Sequence, residues 1–225
     1  VSNNFLKARF GGTIVCHGRD TEAFNPDRFD KATLRSRYSF DRNKKIVMFL
    51  GTPRPYKGVE DLIEALGMIG DENVLTSLVG LDRSPYSQRL RSAGERALGS
   101  RFRAFGEQPF EKVPEFLAMA DVVVVPQRES IATRGQVPAK VFDAMAMAKP
   151  VVATRVSDLP EILDGCGWIT EPQNPEKLAG AIASVLQDPQ RAEEMGRRAR
   201  RKCIEKYSWD AMEKILGTIF RKYEH

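Results

Sequence analysis

The chain is poor in cysteine, has no long apolar run, and lacks the familiar phosphate-loop and dinucleotide signatures. Its three cysteines, Cys16, Cys166 and Cys203, are odd in number and far apart. That excludes a disulfide framework and fits a reducing, cytoplasmic compartment. None stands at metal-ligand spacing from a histidine or a second cysteine, so they read as buried, inert thiols. No apolar stretch approaches the ~18–20 residues needed to cross a bilayer, and no signal-peptide pattern opens the chain. The G-x4-G-K-[ST] spacing of a Walker loop is missing, and no G-x-G-x-x-G follows any strand-like run. There is no internal repeat, no low-complexity linker and no recognised nucleic-acid motif.

What is present is an ordinary globular composition, 42% hydrophobic and 29% charged over 225 residues, enough to bury a substantial core. The net charge of +5 and the pI near 9.2 suit anionic partners. The basic excess is densest in RRARRK at 197–202, where Met195, Ala199 and Cys203 recur every four residues. That spacing turns the three inward on a helix and leaves the basic residues on the outer face. A solvated helix face is the first reading and a peripheral contact with an anionic membrane surface the second. Nucleic acid is not expected, because the run carries no interleaved aromatics.

Short β-branched runs alternate with helical patterns. The strands expected are 13–16, 45–51, 74–80, 101–106, 121–126, 150–154 and 167–170. Several, such as DVVVVP, are apolar at consecutive positions, as in strands covered on both faces of a parallel sheet. Helical spacing is clear at 59–69, where Val59, Leu62, Ile63, Leu66 and Ile69 form one stripe, and at 86–98, 112–119, 139–147 and 176–187. After Pro189 the pattern is helical only, through 190–206 and 208–222, with Ser208 as N-cap of the last helix. The expected fold is therefore an α/β, Rossmann-like doubly wound parallel sheet with C-terminal helices. The segment VSNNFLKARFGG does not make a complete unit and looks like the tail of something upstream.

In such a fold ligands sit beyond the carboxyl ends of the strands, so the loops there carry the chemistry. GTPRPYKG (51–58) joins a buried strand to an amphipathic helix. Gly51 lets the chain turn, while Arg54 and Lys57 place two cations beside a helix N-terminus, which already favours an anion. A diphosphate is the natural guest, with plain surface basicity as the competing reading. In the loop 127–138, Pro138 suits a first helical turn, and Gly135, Gln136 and Val137 are expected to present backbone N–H groups ahead of it. Asp143 lies one turn further on. It either accepts two hydrogen bonds from vicinal ribose hydroxyls or merely favours the helix N-terminus electrostatically.

Taken in order, HGRDTEAF (17–24), GTPRPYKG, LVGLD (78–82), FRAFGEQ (102–108), ADVVVVP (120–126), VPAKVFDAMAMAKPVVAT (137–154) and LPEIL (159–163) resemble the C-terminal half of a family 4 glycosyltransferase. The resemblance covers roughly residues 10–210. It implies the GT-B fold and transfer of a hexose-type sugar from a UDP-, GDP- or ADP-sugar, with retention of configuration and no metal or cofactor. It implies a division into 1–12 as the tail of an N-terminal domain and crossover, 13–206 as the nucleotide-sugar domain, and 207–225 as a helix returning to the first domain. That first domain would bring the acceptor, a saccharide or a lipid-linked acceptor. Alternatives from other classes are a non-catalytic nucleotide-sugar-binding module and a protein of nucleic acid or anionic surfaces.

Position by position, Lys57 matches the family lysine on the donor diphosphate. The arginine the family carries after the glycine is Thr52 here, which leaves Arg54, two residues on, as the candidate for its work. Gly80 matches the first glycine of its motif, and the second is replaced by Asp82. The turn Gly106–Glu107–Gln108 falls where backbone groups meet the base. The paired acids read E-x7-E in the family; Asp143 matches the second, and Gly135 stands where the first should be. Members lacking that first glutamate carry P-x-K-x-x-[DE], here Pro138 to Asp143, in which the amides before the proline and Lys140 face the donor. Glu129 is expected outside the sugar pocket.

Overall fold

A computed structural model describes residues 1–222. Six strands form one all-parallel sheet: β1 Lys45–Leu50, β2 Val74–Leu81, β3 Phe102–Gly106, β4 Val122–Val125, β5 Val151–Thr154 and β6 Trp168–Thr170. Their order across the sheet is β3-β2-β1-β4-β5-β6. Helices connect and cover them: α1 Asn4–Phe10, α2 Lys31–Arg37, α3 Val59–Met68, α4 Pro85–Leu98, α5 Val113–Met119, α6 Ile131–Arg134, α7 Lys140–Ala146, α8 Leu159–Ile162, α9 Pro175–Gln187, α10 Pro189–Tyr207 and α11 Trp209–Phe220.

The consecutive apolar residues of the strands are explained by two separate cores. Val47, Phe49, Val122, Val124 and Val152 point to one face, where Leu62 and Leu66 of α3, Leu90 of α4 and Leu178 and Ile182 of α9 cover them. Ile46, Met48, Leu50, Val123, Val125, Val151 and Ala153 point to the other, under Phe116 and Leu117 of α5, Phe142 and Met145 of α7, and Ala199 and Cys203 of α10. A strand buried on both faces has no polar side to alternate with.

The expected strand at 13–16 does not form. That segment is a crossover outside the sheet, whose Val15 N–H donates to Val1 O at 2.9 Å. A little further on, Arg19 N–H donates to Tyr207 O at 2.8 Å and Trp209 N–H to Arg19 O at 3.0 Å, stitching the crossover to the junction of α10 and α11. Ser208 caps α11 with its side chain, accepting from Ala211 N–H at 3.1 Å. Of the stretch 207–225, residues 223–225 lie outside the described residues.

The basic run on α10 is not one outward face. Arg200 turns inward and donates to Phe24 O at 2.8 Å and to Ala146 O, while Lys202 donates to Glu161 O and Asp164 O. Arg197 and Arg198 pair with Glu193 and Glu194 one turn back. Gly196, rather than Met195, joins Ala199 and Cys203 on the buried stripe, because the helix approaches the α7–β5 turn too closely for a larger side chain. Cys166 and Cys203 are buried and Cys16 half-buried, all three free; burial pushes the Cys203 thiol up to about 12.

Candidate functional site

The strand order reverses between β1 and β4, so their connections leave in opposite directions and open a crevice at the carboxyl ends. The loop after β1 and the loop after β4 form its walls. Gly51 turns the chain out of β1 at φ +113°, with its N–H donating to Val79 O at 2.8 Å. Gly80 lies beneath it: a Cβ there would sit 2.8 Å from the Gly51 carbonyl carbon. Gly80 is thus buried floor, not a group facing the crevice. The two walls touch at Gly58, where a Cβ would meet Pro126 O at 1.9 Å. Arg128 locks them together, donating its backbone N–H to Tyr56 O and two guanidinium N–H groups to the Asp61 carboxylate at 2.9 and 2.6 Å. This clamp joins residues 67 apart in sequence and had no local signal.

Cations from both walls converge on Gly51 and Thr52. Lys57 reaches back across its own loop and donates to Thr52 O at 2.6 Å. Burial, and then the Arg54 charge, hold its ammonium below the usual lysine value. Lys140 comes from the first turn of α7, with Nζ 3.8 Å from the centre of the Phe49 ring and 3.2 Å from where a Gly51 Cβ would stand. Burial first, and Lys57 second, push it well below the usual value, against the pull of Asp143. Arg54 is engaged differently. It pairs with Asp82 at 2.8 Å, and Glu107 in the turn after β3 lies near enough to add to that attraction. Asp82 also accepts from Ser84 and Ser87 hydroxyls, which makes it a hub for the start of α4.

The acids sit apart. Glu129 is exposed and pairs with Arg134 at 2.7 Å. Asp143 is buried, and its Oδ1 is held by Nε of Arg19, whose guanidinium lies over the Phe24 and Phe110 rings. Burial raises the Asp143 carboxyl to about 6 despite the Arg19 and Lys140 charges. Arg19 stands in the HGRD stretch of the crossover, and its partner comes from α7, far along the chain. The two-oxygen ribose contact imagined for Asp143 therefore has one oxygen already in use.

The expectation of free amides ahead of α7 fails for Gly135 and Gln136. A short helix, α6, occupies that loop, and both N–H groups close its end on Thr133 O. A Ser130–Thr133 capping box, read as loop from sequence, starts this helix. Val137 and Pro138 are buried against the core, while Gln136 is exposed. Gly135 faces the side chains of Phe5 and Leu6, because α1 packs here, with Asn3 donating to Arg134 O at 2.8 Å. Gly106, the last residue of β3, and Glu107 are exposed and Gln108 half-buried at the outer edge of the sheet, where Gln108 Nε2 donates to Gly106 O.

Six parallel strands in this order, with a cation-lined crevice at the switch point, define a Rossmann-like domain. A profile of the family described as "Glycosyl transferases, group 1" matches residues 30–202, and the chain belongs to that family. It is 31% identical over 201 residues to the GDP-mannose-dependent alpha-(1-6)-phosphatidylinositol monomannoside mannosyltransferase of Mycolicibacterium smegmatis, covering 85% of this chain and 51% of the relative. Its fold matches the C-terminal domain of a group 1 glycosyl transferase (LpcC) from Francisella tularensis, with TM-score 0.71, 20% identity, 85% of this chain and 100% of that one. It also matches the Anabaena protein HepE in complex with UDP-glucose, with TM-score 0.81, 21% identity, 93% of this chain and 57% of that one. The chain spans about half the length of the curated relative it matches.

Proposed function

We propose that this domain binds the diphosphate and nucleoside of a UDP-, GDP- or ADP-sugar in the β1/β4 crevice. It would serve as the donor half of a retaining glycosyltransferase that moves a hexose-type sugar to a hydroxyl acceptor. The observation that carries this reading is the convergence of Lys57 and Lys140, from opposite walls, on the turn at Gly51. Two ammonium groups over a turn at the end of a buried strand suit a diphosphate better than a neutral ligand. The names of the relatives favour the same substrate class, with GDP-mannose in one and UDP-glucose in another.

On this reading the leaving nucleoside diphosphate gathers negative charge as the glycosidic bond breaks, and the lysines stabilise it in place. Arg54 joins them only if it leaves Asp82. No metal and no cofactor enters the scheme. A second domain outside these 225 residues would bring the saccharide or lipid-linked acceptor, and the 225 residues alone would bind donor without turnover. A peripheral membrane contact through 197–202 has less to rest on, since among the described residues only Arg201 in that run is exposed without a partner.

Calorimetric titration with UDP, GDP and ADP tests the proposal. At least one should bind, and Lys57→Ala should weaken it by about thirtyfold, the loss of a charge-assisted contact of about 2 kcal/mol. An unchanged dissociation constant in that variant would sink the assignment of Lys57. Binding of duplex nucleic acid with steep salt dependence would favour the rival class.

A further inference from the structure

Lys140 is a basic side chain in the crevice with no hydrogen-bond acceptor and no ion pair among the described residues. Its stem descends from α7 onto β1, and the amine ends against the Phe49 ring and the bare Cα of Gly51. β1 and β2 bring it Phe49, Gly51 and Gly80, none of them charged. The turn before α3 brings Lys57, a like charge. α7 itself brings Asp143, the one carboxylate in reach, and Arg19 from the crossover already holds that carboxylate. An ammonium so placed is disfavoured by desolvation and by its neighbour; the Phe49 ring face and the Asp143 charge pull the other way, but neither supplies Nζ with a hydrogen-bond acceptor.

We propose that Lys140 grips the donor diphosphate from the α7 side and takes up a proton from solvent as the diphosphate enters, so that donor binding is proton-coupled. This rests on the donor-site reading above. The arriving phosphate oxygens supply the acceptors that Nζ lacks and reverse the sign of the local potential, so the ammonium becomes the favoured form. No covalent bond changes; one proton moves from water to Nζ. The charge is then present when the leaving diphosphate needs it and absent when the crevice is empty, where it would repel Lys57. Arginine could not do this, because its guanidinium does not deprotonate in proteins. The same coupling makes release of the nucleoside diphosphate return the proton.

The test is calorimetry of the chain with UDP, GDP and ADP at about pH 8, where the nucleotide phosphates are already ionised, in Tris and in HEPES. The difference in apparent enthalpy between the two buffers counts the protons exchanged. The expected result is uptake of on the order of one proton per nucleotide bound. Lys140→Met should abolish the uptake and weaken binding by about tenfold. Lys140→Arg should abolish the uptake while keeping more of the affinity than Lys140→Met. Binding with a buffer-independent enthalpy, or uptake that persists in Lys140→Met, would overturn the proposal while leaving the donor site standing. If no nucleotide binds at all, the donor-site reading falls and the coupling with it. Should both variants fail to fold, the wild-type affinity decides: a decline as pH rises toward about 9 supports the coupling, and a flat profile from about 7 to 9 refutes it.

Discussion

Two half-buried lysines, one at each end of the sheet, meet opposite surroundings. Lys149 stands at the amino ends of the strands, just before β5, and donates to Ala118 O at 2.9 Å and Ala120 O at 3.3 Å. Burial, with Lys31 adding to it, lowers its value to about 7, but its hydrogens have acceptors. Lys140, at the carboxyl ends, has none among the described residues. The carboxylates repeat the contrast. Asp121 holds Lys31, the Arg35 guanidinium and the Ile46 N–H, all at 2.6–2.7 Å, and lies below the usual range because these partners outweigh its burial. Asp143 has one ion pair among the described residues, Arg19, and burial raises it to about 6 despite that charge and the Lys140 charge. One end of the sheet is electrostatically closed and the other is left open, which is what separates a structural network from a ligand site.

Breaking the closed end should have the largest effect. Asp121→Ala leaves the buried Arg35 without its carboxylate and should cost about 3–5 kcal/mol in urea denaturation. Nucleotide affinity should hardly change, and a large change there would mean that the two ends communicate. The lysine pair should then split in sign. Lys149→Met strands two backbone carbonyls and should lose about 1–3 kcal/mol at neutral pH. Lys140→Met removes an amine that gives up its proton on folding, and should gain about 1 kcal/mol in the empty domain. Equal signs would abolish the distinction between them.

The pH dependence sharpens the same contrast. A lysine held at about 7 when folded and near its ordinary value when unfolded makes the unfolded chain bind more protons in between. Stability from this group therefore rises between about pH 7 and pH 10, and Lys149→Met should remove that rise from denaturation midpoints measured across the range. Asp143 acts in the opposite sense. Its folded value of about 6 lies above the ordinary carboxylate value, so its contribution falls as pH climbs from about 4 to about 6. The smallest effect belongs to Glu129, exposed on Arg134. Glu129→Gln should stay within about 0.5 kcal/mol in stability and leave nucleotide affinity unchanged. A clear loss of affinity would place it in the pocket after all.

Much of the architecture was legible because it follows from local rules. Consecutive valines in 122–125 mark a strand covered on both faces, and the stripe at 59–68 marks its neighbouring helix. Ser208 announces the start of α11. The errors came where local pattern was weak or partners were distant. TIVC has the composition of a strand but pairs with residue 1 rather than with either edge strand, β3 or β6. α6 is only one turn long and starts from Ser130 and Thr133, which read equally well as loop residues. The basic run looked uniform, yet Arg200 and Lys202 are drawn inward by carbonyls from other segments. In the site, the lysines and Asp143 were recognisable by type and spacing, whereas Arg19, Arg128 and Asp82 acquired their roles only through partners elsewhere.

By itself the sequence determined a doubly wound α/β domain, the loops that face its crevice and the cations those loops carry. Periodicity and spacing are properties of neighbouring residues and need no knowledge of the fold. The tertiary structure decided which charges are already answered. It placed Arg19 on Asp143, Arg54 on Asp82 and Arg200 on three carbonyls, and it left Lys140 over Gly51 with no hydrogen-bond partner among the described residues. The reason is physical. A charge has the same formula wherever it stands, but its free energy depends on burial and on what lies within a few ångströms, and both are settled only when distant segments meet.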